Sequence, residues 1–189
     1  QASASTVNNG IANISTNALA VNLAAVTTGS GFTVTNTGAA TTLTGSSGND
    51  TMIGGAGNDV LVGGPGLDSL NGGDGSDIYL ITSLTDYVVG DVINDTGTTG
   101  TDELRFAATS AGTLVLNSTT FGIEAVTIGT GTAASAVVTG TTSLNVDAHA
   151  VSTGLIITGN AGANSIDGTN SNDSLNGGAG NDTLNGGTG

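Results

Sequence analysis

The stretch GGAGNDVLV, residues 54–62, places three glycines before one aspartate and ends in a short apolar run. Its neighbours repeat this arrangement: GSSGNDTMI (45–53), GGPGLDSLN (63–71) and GGDGSDIYL (72–80). The aspartates of these units lie nine residues apart, and a large apolar residue follows each of them two positions later. Repetition at a fixed short period is typical of solenoid proteins. The nine-residue unit therefore decides the fold class.

The repeat phase continues outside these four units. Asp86 and Asp95 keep the aspartate spacing, and Val34, Leu43 and Val88 keep the apolar spacing. A shorter array follows near the end of the chain: GNAGANSID (159–167), GTNSNDSLN (168–176) and GGAGNDTLN (177–185). The chain stops at Gly189, early in a further unit, and we expect it to be a piece of a longer protein.

The unit itself predicts a turn followed by a strand. Glycine permits the backbone angles of tight turns, so the first six residues favour a turn. The last three favour a short strand, whose middle residue points inward because side chains alternate along a strand. Two units then form one coil of 18 residues, which we call a rung. In this arrangement Asp50 stacks over Asp68, and Asp59 stacks over Asp77.

Composition limits the classes of function. The chain has 189 residues, 33 glycines, one basic residue, 15 acidic residues and a formal charge of −14. Nucleic-acid binding is excluded because it requires lysine and arginine to neutralise phosphates, and anionic membranes are disfavoured for the same reason. No apolar run approaches the length of a membrane span. The absence of cysteine excludes a disulfide framework.

Stacked aspartates repel one another. Strands of neighbouring rungs lie about 4.8 Å apart, and two carboxylates at about 5 Å repel by about 1–3 kcal/mol. One buried apolar residue per unit contributes about 1.5–3 kcal/mol, whereas ordering nine backbone residues costs about 9–18 kcal/mol. A bridging cation would offset this deficit. Ca²⁺ accepts six to eight oxygen ligands from carboxylates and carbonyls, whereas Mg²⁺ tends to keep its waters and Zn²⁺ favours cysteine and histidine.

These units resemble the RTX (repeats-in-toxin, haemolysin-type) calcium-binding repeat. The resemblance implies an all-β fold, a parallel β-roll or β-solenoid, with several Ca²⁺ ions held between stacked turns. In that family one turn gives the carbonyls of its second and fourth residues and its aspartate. The turn one rung later gives the carbonyls of its first and third residues and its aspartate. We call each such pair of turns a cage.

Transferred to this sequence, the resemblance implies four cages in the first array. The first two are Ser46, Gly48 and Asp50 with Gly63, Pro65 and Asp68, and Gly55, Gly57 and Asp59 with Gly72, Asp74 and Asp77. The next two are Gly64, Gly66 and Asp68 with Ile81, Ser83 and Asp86, and Gly73, Gly75 and Asp77 with Gly90, Val92 and Asp95. These last two depart from the family pattern, because residues 81–95 have lost most glycines.

The second array implies one further cage and part of another. The complete cage pairs Asn160, Gly162 and Asn164 with Gly177, Ala179 and Asp182, so an amide replaces one carboxylate. Asp173 would need a partner beyond Gly189. The motif GTTGTDELR, residues 97–105, matches the unit out of phase with the first array, and it is either a single cage or a bend.

We expect four segments within one elongated body. They are an N-terminal solenoid segment (1–35), a first RTX β-roll (36–96), a strand-rich connector (97–158) and a truncated second RTX β-roll (159–189). Outside the arrays, alternation of Thr, Val, Ile and Leu predicts short strands. These are ALAVNLAAV (18–26), FTVTN (32–36), TLVLN (113–117), IEAVTIG (123–129), SAVVTG (135–140), SLNVDA (143–148) and GLIITG (154–159).

The sequence gives no sign of catalysis, and we expect no enzyme in this segment. His149 is the single histidine, two residues from Asp147, and no G-x-S-x-G motif frames a serine. Glu103 and Glu124 are far apart in sequence, with nothing to indicate a paired-carboxylate site.

Three functions remain open. The first is a calcium-binding structural segment of a secreted bacterial surface protein of S-layer or adhesin type, since the connector loosely resembles segments of such proteins. Its partners would be calcium and either further copies in a surface lattice or a cell-surface polysaccharide or receptor. The second is the export and folding module of a secreted protease or lipase. The third, an ice-binding solenoid, would need a regular Thr or Asn ladder, which the turns of the first array lack.

The first prediction is that calcium acts as a folding cofactor. Because carboxylates stack over a thin core, metal binding and folding should be one event. Chelation should abolish much of the strand signal from residues 36–96 in far-UV circular dichroism. Millimolar Ca²⁺ should restore it, with Mg²⁺ much less effective. A spectrum unchanged by chelator would contradict the prediction.

Overall fold

The structure is a computed structural model that describes residues 10–189, so the first nine residues of the predicted N-terminal segment lie outside it. The described chain contains 18 strands. In chain order they are β1 (Ala12–Thr16), β2 (Val21–Asn22), β3 (Phe32–Asn36), β4 (Thr42–Thr44), β5 (Thr51–Ala56), β6 (Val60–Val62), β7 (Ser69–Asp74), β8 (Ile78–Ile81), β9 (Val92–Asn94), β10 (Glu103–Phe106), β11 (Gly112–Val115), β12 (Thr120–Phe121), β13 (Ala125–Ile128), β14 (Leu144–Asp147), β15 (Ile156–Thr158), β16 (Ser165–Asp167), β17 (Ser174–Asn176) and β18 (Thr183–Asn185).

The strands form three sheets, and every pairing between named strands is parallel. A six-stranded sheet has the order β1-β3-β5-β7-β9-β12, an eight-stranded sheet β17-β15-β13-β10-β8-β6-β4-β2 and a four-stranded sheet β11-β14-β16-β18. From β4 to β10 successive strands alternate between the eight-stranded and six-stranded sheets. The chain therefore winds into a β-solenoid of about nine turns, which confirms the predicted fold class.

The apolar repeat position builds the core, as predicted. Met52 pairs with Leu70 in the six-stranded sheet, and Leu61 pairs with Tyr79 in the eight-stranded sheet. All four side chains are buried between the sheets, with at most 4% exposed. Each rung thus contributes one inward residue from each sheet, and these residues stack into two apolar columns.

The rungs contain more residues after the fourth unit, and the predicted nine-residue spacing is wrong there. Hydrogen bonds between neighbouring rungs span 18 residues at Asp50 and Asp68, but 23 residues from Asp68 to Asp91. Residues 82–91 form the longer loop that causes this shift. Ile93, rather than Val88, lies opposite Leu70, and Val88 is exposed.

The predicted strands of the connector are confirmed except for SAVVTG. Residues 135–140 form no strand within the described chain, and Val137 makes only an isolated bridge to Thr130. This segment belongs to a loop outside the core, where Gly131 and Ala133 carbonyls accept hydrogen bonds from Arg105 Nη1. A loop that rests on a sheet can alternate in polarity as a strand does, which explains the wrong prediction. In the N-terminal segment, ALAVNLAAV forms only the two-residue strand β2.

The eight-stranded sheet runs without interruption from β2 to β17. The predicted segments of the chain are therefore parts of one stack, and their exact boundaries remain a prediction. Over residues 10–189 no helix is both long and apolar enough to cross a membrane.

Candidate metal centre

Two columns of turns carry the repeated aspartates. In the first column, the turns joining β5 to β6, β7 to β8 and β9 to β10 end at Asp59, Asp77 and Asp102. In the second column, the turns joining β4 to β5, β6 to β7 and β8 to β9 end at Asp50, Asp68 and Asp91. All six aspartates are buried.

One oxygen of each carboxylate in the first column connects successive rungs. The backbone N–H of Asp59 donates to Asp77 Oδ1 (2.7 Å), and that of Asp77 donates to Asp102 Oδ1 (2.8 Å). Glu124 continues the column, since its Oε2 accepts from the backbone N–H of Asp102 (2.8 Å). Each carboxylate therefore satisfies a backbone donor of the preceding rung.

The second column follows the same rule. The backbone N–H of Asp50 donates to Asp68 Oδ1 (2.8 Å), and that of Asp68 donates to Asp91 Oδ1 (2.7 Å). The aspartate of the repeat thus has a structural task before any metal is considered, which is to join one turn to the next.

The second oxygen has no such partner in several turns. The buried Oδ2 atoms of Asp59, Asp68 and Asp77 accept no hydrogen bond from the described chain. A buried polar atom without a partner is costly, and more so when it is charged. Unpaired carboxylate oxygens beside turn carbonyls match the ligands that Ca²⁺ prefers. The side chains present therefore fit a hard divalent cation.

Glycine is required where these turns meet. Gly55, Gly64 and Gly73, the second residues of their units, have φ of +99°, +86° and +94°, a region that favours glycine. A β-carbon on Gly55 would come within 2.7 Å of the Asn36 carbonyl, and one on Gly64 within 2.7 Å of the Ser46 carbonyl. The glycines therefore allow neighbouring turns to approach closely.

Other units satisfy their second oxygen internally. The backbone N–H of Ser46 donates to Asp50 Oδ2 (2.7 Å), and Ser46 Oγ donates to it as well (3.0 Å). The backbone N–H of Thr169 likewise donates to Asp173 Oδ2 (2.8 Å). In these units the second residue is not glycine. We call them closed turns, and those of Asp59, Asp68 and Asp77 open turns.

The turn of Asn160 in the second array is closed in the same way. Its backbone N–H donates to Asn164 Oδ1 (3.0 Å), so a neutral amide replaces the carboxylate. The unit of Asp182 has Gly178 with φ of +87°, as in the open turns, but Asp182 is only half-buried. The second array therefore has fewer turn carboxylates than the first. More of its turn side-chain oxygens accept hydrogen bonds from the backbone of their own turn.

The structure brings together the aspartates of the first two predicted cages, in register across one rung. It also places Asn164 over Asp182, because the backbone N–H of Asn164 donates to Asp182 Oδ1 (2.9 Å). The backbone N–H of Leu155 donates to Asp173 Oδ1 (2.8 Å). Coordination of metal by these residues stays a prediction.

The third predicted cage requires a correction. Asp86 does not lie under Asp68, because the rung there has 23 residues and Asp91 takes that place. Asp86 Oδ2 instead accepts from the backbone N–H groups of Thr82 and Ser83 in its own loop. Ile81, the remaining member, ends β8 with its side chain in the core. The turn of Gly64 and Gly66 therefore faces a different partner from the one predicted.

The fourth predicted cage is displaced only in part: one carboxylate oxygen of Asp95 lies within 4.8 Å of one of Asp77, but the turn in register below Asp77 ends at Asp102. Gly90 and Val92 belong to the end of the 82–91 loop and to β9, whereas Asp102 follows Asp77 in the column after 25 residues. The motif at 97–105, which is out of phase by counting, is therefore in register in the structure. Sequence reasoning gave no signal for Asp91.

The fold and its turns define a parallel β-roll with columns of buried, partly unpaired carboxylates. The RTX calcium-binding nonapeptide repeat family matches residues 40–79 and 158–189, in four copies. These two segments of the chain are RTX repeats, and such repeats bind calcium. No curated protein and no solved structure matches the chain.

Burial raises the pKa of the open-turn carboxyls. The pKa of Asp59 rises to about 6 and those of Asp68 and Asp77 to about 7. Desolvation is the main cause, and neighbouring carboxylates add to it for Asp68 and Asp77. Without a cation, ionisation of Asp68 and Asp77 is therefore incomplete at neutral pH.

These shifts predict how pH affects the calcium-free fold. Above their ordinary pKa of 3.8 and up to about 7, these carboxyls bind more protons in the folded chain than in the unfolded chain. Stability without calcium should therefore fall as pH rises through this window. In calcium-free buffer, circular dichroism should show more strand at about pH 5 than at about pH 8. With calcium the trend should reverse, because the metal requires ionised ligands. Greater calcium-free strand content at the higher pH would contradict this.

Open and closed turns predict unequal effects of the same substitution. Asp68→Asn removes the charge of an open turn, whereas Asp173→Asn does so in a closed turn, and both residues keep an Oδ1 that accepts a backbone N–H 18 residues away. Loss of one ion present at about 100 times its dissociation constant costs about 2.7 kcal/mol. Asp68→Asn should therefore lower the calcium count and the calcium-dependent stability more than Asp173→Asn. Equal losses in calorimetry would show that the distinction has no bearing on binding.

Proposed function

We propose that the chain is a calcium-rigidified structural segment of a secreted bacterial cell-surface protein, of S-layer or adhesin type. The observation that carries the proposal is the uninterrupted eight-stranded sheet, which joins the two RTX-matched segments through the connector. A parallel sheet of this kind with strands about 4.8 Å apart makes a stiff spacer. A compact export module would not need such a connector.

The charge distribution supports folding outside the cell. The chain has a formal charge of −14 and one basic residue, and the carboxylate oxygens of its open turns lack partners. Where calcium is scarce, repulsion and desolvation oppose closure of the roll. Where calcium is abundant, each ion supplies two positive charges and the missing partner. The chain would then cross an export channel unfolded, as RTX proteins typically do through type I secretion, and fold outside.

A structural role also agrees with the surroundings of the single histidine. The His149 side chain is 67% exposed and its Nδ1 lies 2.5 Å from Asp147 Oδ1. Exposed on the solenoid surface, this pair supports no nucleophilic mechanism. We therefore propose a binding and spacing role for this segment, without catalysis. Within a surface protein it would contact further copies in a lattice or a cell-surface polysaccharide or receptor.

Fractionation of producing cells tests this proposal with the full-length parent protein. The protein should occur on the cell surface with calcium in the medium, and should be less folded and more sensitive to protease without it. Folded protein in the cytosol would contradict both the location and the role. A zinc-binding H-E-x-x-H or a G-x-S-x-G motif elsewhere in the parent would favour an enzyme module instead.

A further inference from the structure

A cluster of three carboxylates forms where the first turn column widens. The turn from Asp95 to Asp102 is longer than the repeat turns, and it places Asp102 below Asp77. Ile93 lies opposite Leu70. Two residues further on, this register places Asp95 opposite Gly72, the first glycine of the unit 72–80. The first of the two family-matched segments ends at residue 79, and neither segment contains Asp95 or Asp102. The cluster therefore adds Asp102 to the Asp77 and Asp95 pair of the fourth predicted cage, and Asp95 and Asp102 both lie outside the family match.

The three side chains converge in the interior. Asp77, Asp95 and Asp102 are all buried, and one carboxylate oxygen from each lies within 4.8 Å of the other two. Asp77 is fully buried, and its Oδ2 accepts no hydrogen bond from the described chain. An unpaired buried oxygen beside two further carboxylates requires a positive partner.

Tyr79 fixes the added carboxylate. Its hydroxyl donates to Asp95 Oδ2 (2.6 Å) and accepts from the backbone N–H of Gly72 (2.6 Å). Other units have Met, Leu or Ile at this inward position, which offer no hydroxyl. The tyrosine thus replaces an apolar core residue where a third carboxylate enters, and it orients that carboxylate.

No lysine or arginine of the protein is available as the counterion. Arg105 is the single Lys or Arg in the sequence. Its Nε and Nη2 donate to the Glu103 carboxylate, and its Nη1 donates to loop carbonyls. The positive charge must therefore come from solution.

We propose that Asp77, Asp95 and Asp102 bind one calcium ion, and that this site fills before the repeat cages. Affinity for calcium depends on the number of charged ligands and on the rigidity of the site. This site has three carboxylates and a positioning tyrosine, whereas a repeat cage has two carboxylates. The inference deepens the proposed calcium-dependent function, and it rests on calcium binding by the chain.

Terbium luminescence can test the site, because Tb³⁺ takes oxygen ligands as Ca²⁺ does and is excited through a nearby tyrosine. The chain has two tyrosines and no tryptophan. Asp95→Asn keeps an acceptor for Tyr79 and removes one charge. It should lose about one bound calcium ion in equilibrium dialysis, together with the emission that appears at the first equivalent of Tb³⁺. Asp167→Asn removes one charge from β16, far along the solenoid, and should change neither quantity.

A second variant keeps the proposal testable if Asp95→Asn does not fold. Tyr79→Phe removes only the hydroxyl, and loss of such a supporting partner lowers metal affinity by about 10–100-fold. The first calcium ion should therefore bind more weakly in calorimetry. Tyr87→Phe is the matched control, since that hydroxyl contacts Thr120 Oγ1 instead.

The outcomes separate the site from the function. An unchanged ion count and unchanged first-equivalent emission in Asp95→Asn would overturn the site while leaving calcium binding by the repeats intact. An unchanged first affinity in Tyr79→Phe would do the same. A wild-type chain that binds no calcium would overturn both the site and the proposed function.

Discussion

The structure depends on the two oxygens of one aspartate in each repeat. One oxygen accepts the backbone N–H of the rung before it, as Asp77 Oδ1 does for Asp59. This bond requires the carboxylates to stack, and stacking brings like charges together in a buried place. The second oxygen is then left without a protein donor in the open turns. The bond that builds the solenoid therefore also creates the demand for a cation.

The connector meets the same demand for stability with apolar packing. Its rungs are longer, as shown by the 32-residue separation between Thr113 and Asn145 on neighbouring strands. The strands of the connector contribute large, fully buried side chains such as Phe106, Leu114 and Ile128. A larger core compensates for the energy that the metal supplies elsewhere. The eight-stranded sheet can therefore pass from one kind of rung to the other without a break.

Periodicity in the sequence predicts those features that depend on the local unit. The inward stacking of Met52 over Leu70, and of Asp50 over Asp68, follows from an 18-residue rung. Counting fails where a rung gains residues, because the chain returns to register only after a loop whose length no local rule fixes. Asp102 lies under Asp77 for this reason. The closed turn of Ser46 could not be predicted either, because the hydrogen bonds from its backbone N–H and hydroxyl to Asp50 are visible only in three dimensions.

The closed turns lie where each array begins. Ser46 belongs to the first unit of the first array, and Asn160 and Thr169 belong to the first two units of the second. The first turn of each array satisfies its own side-chain oxygen through a backbone N–H, as does the second turn of the second array. Such a turn can form on an apolar rung without a cation and presents a template on which the next, open turn stacks. Ordering a turn against an existing rung costs less than nucleating a free coil. The order of residues along the chain thus agrees with growth of each calcium-dependent block from a calcium-independent base.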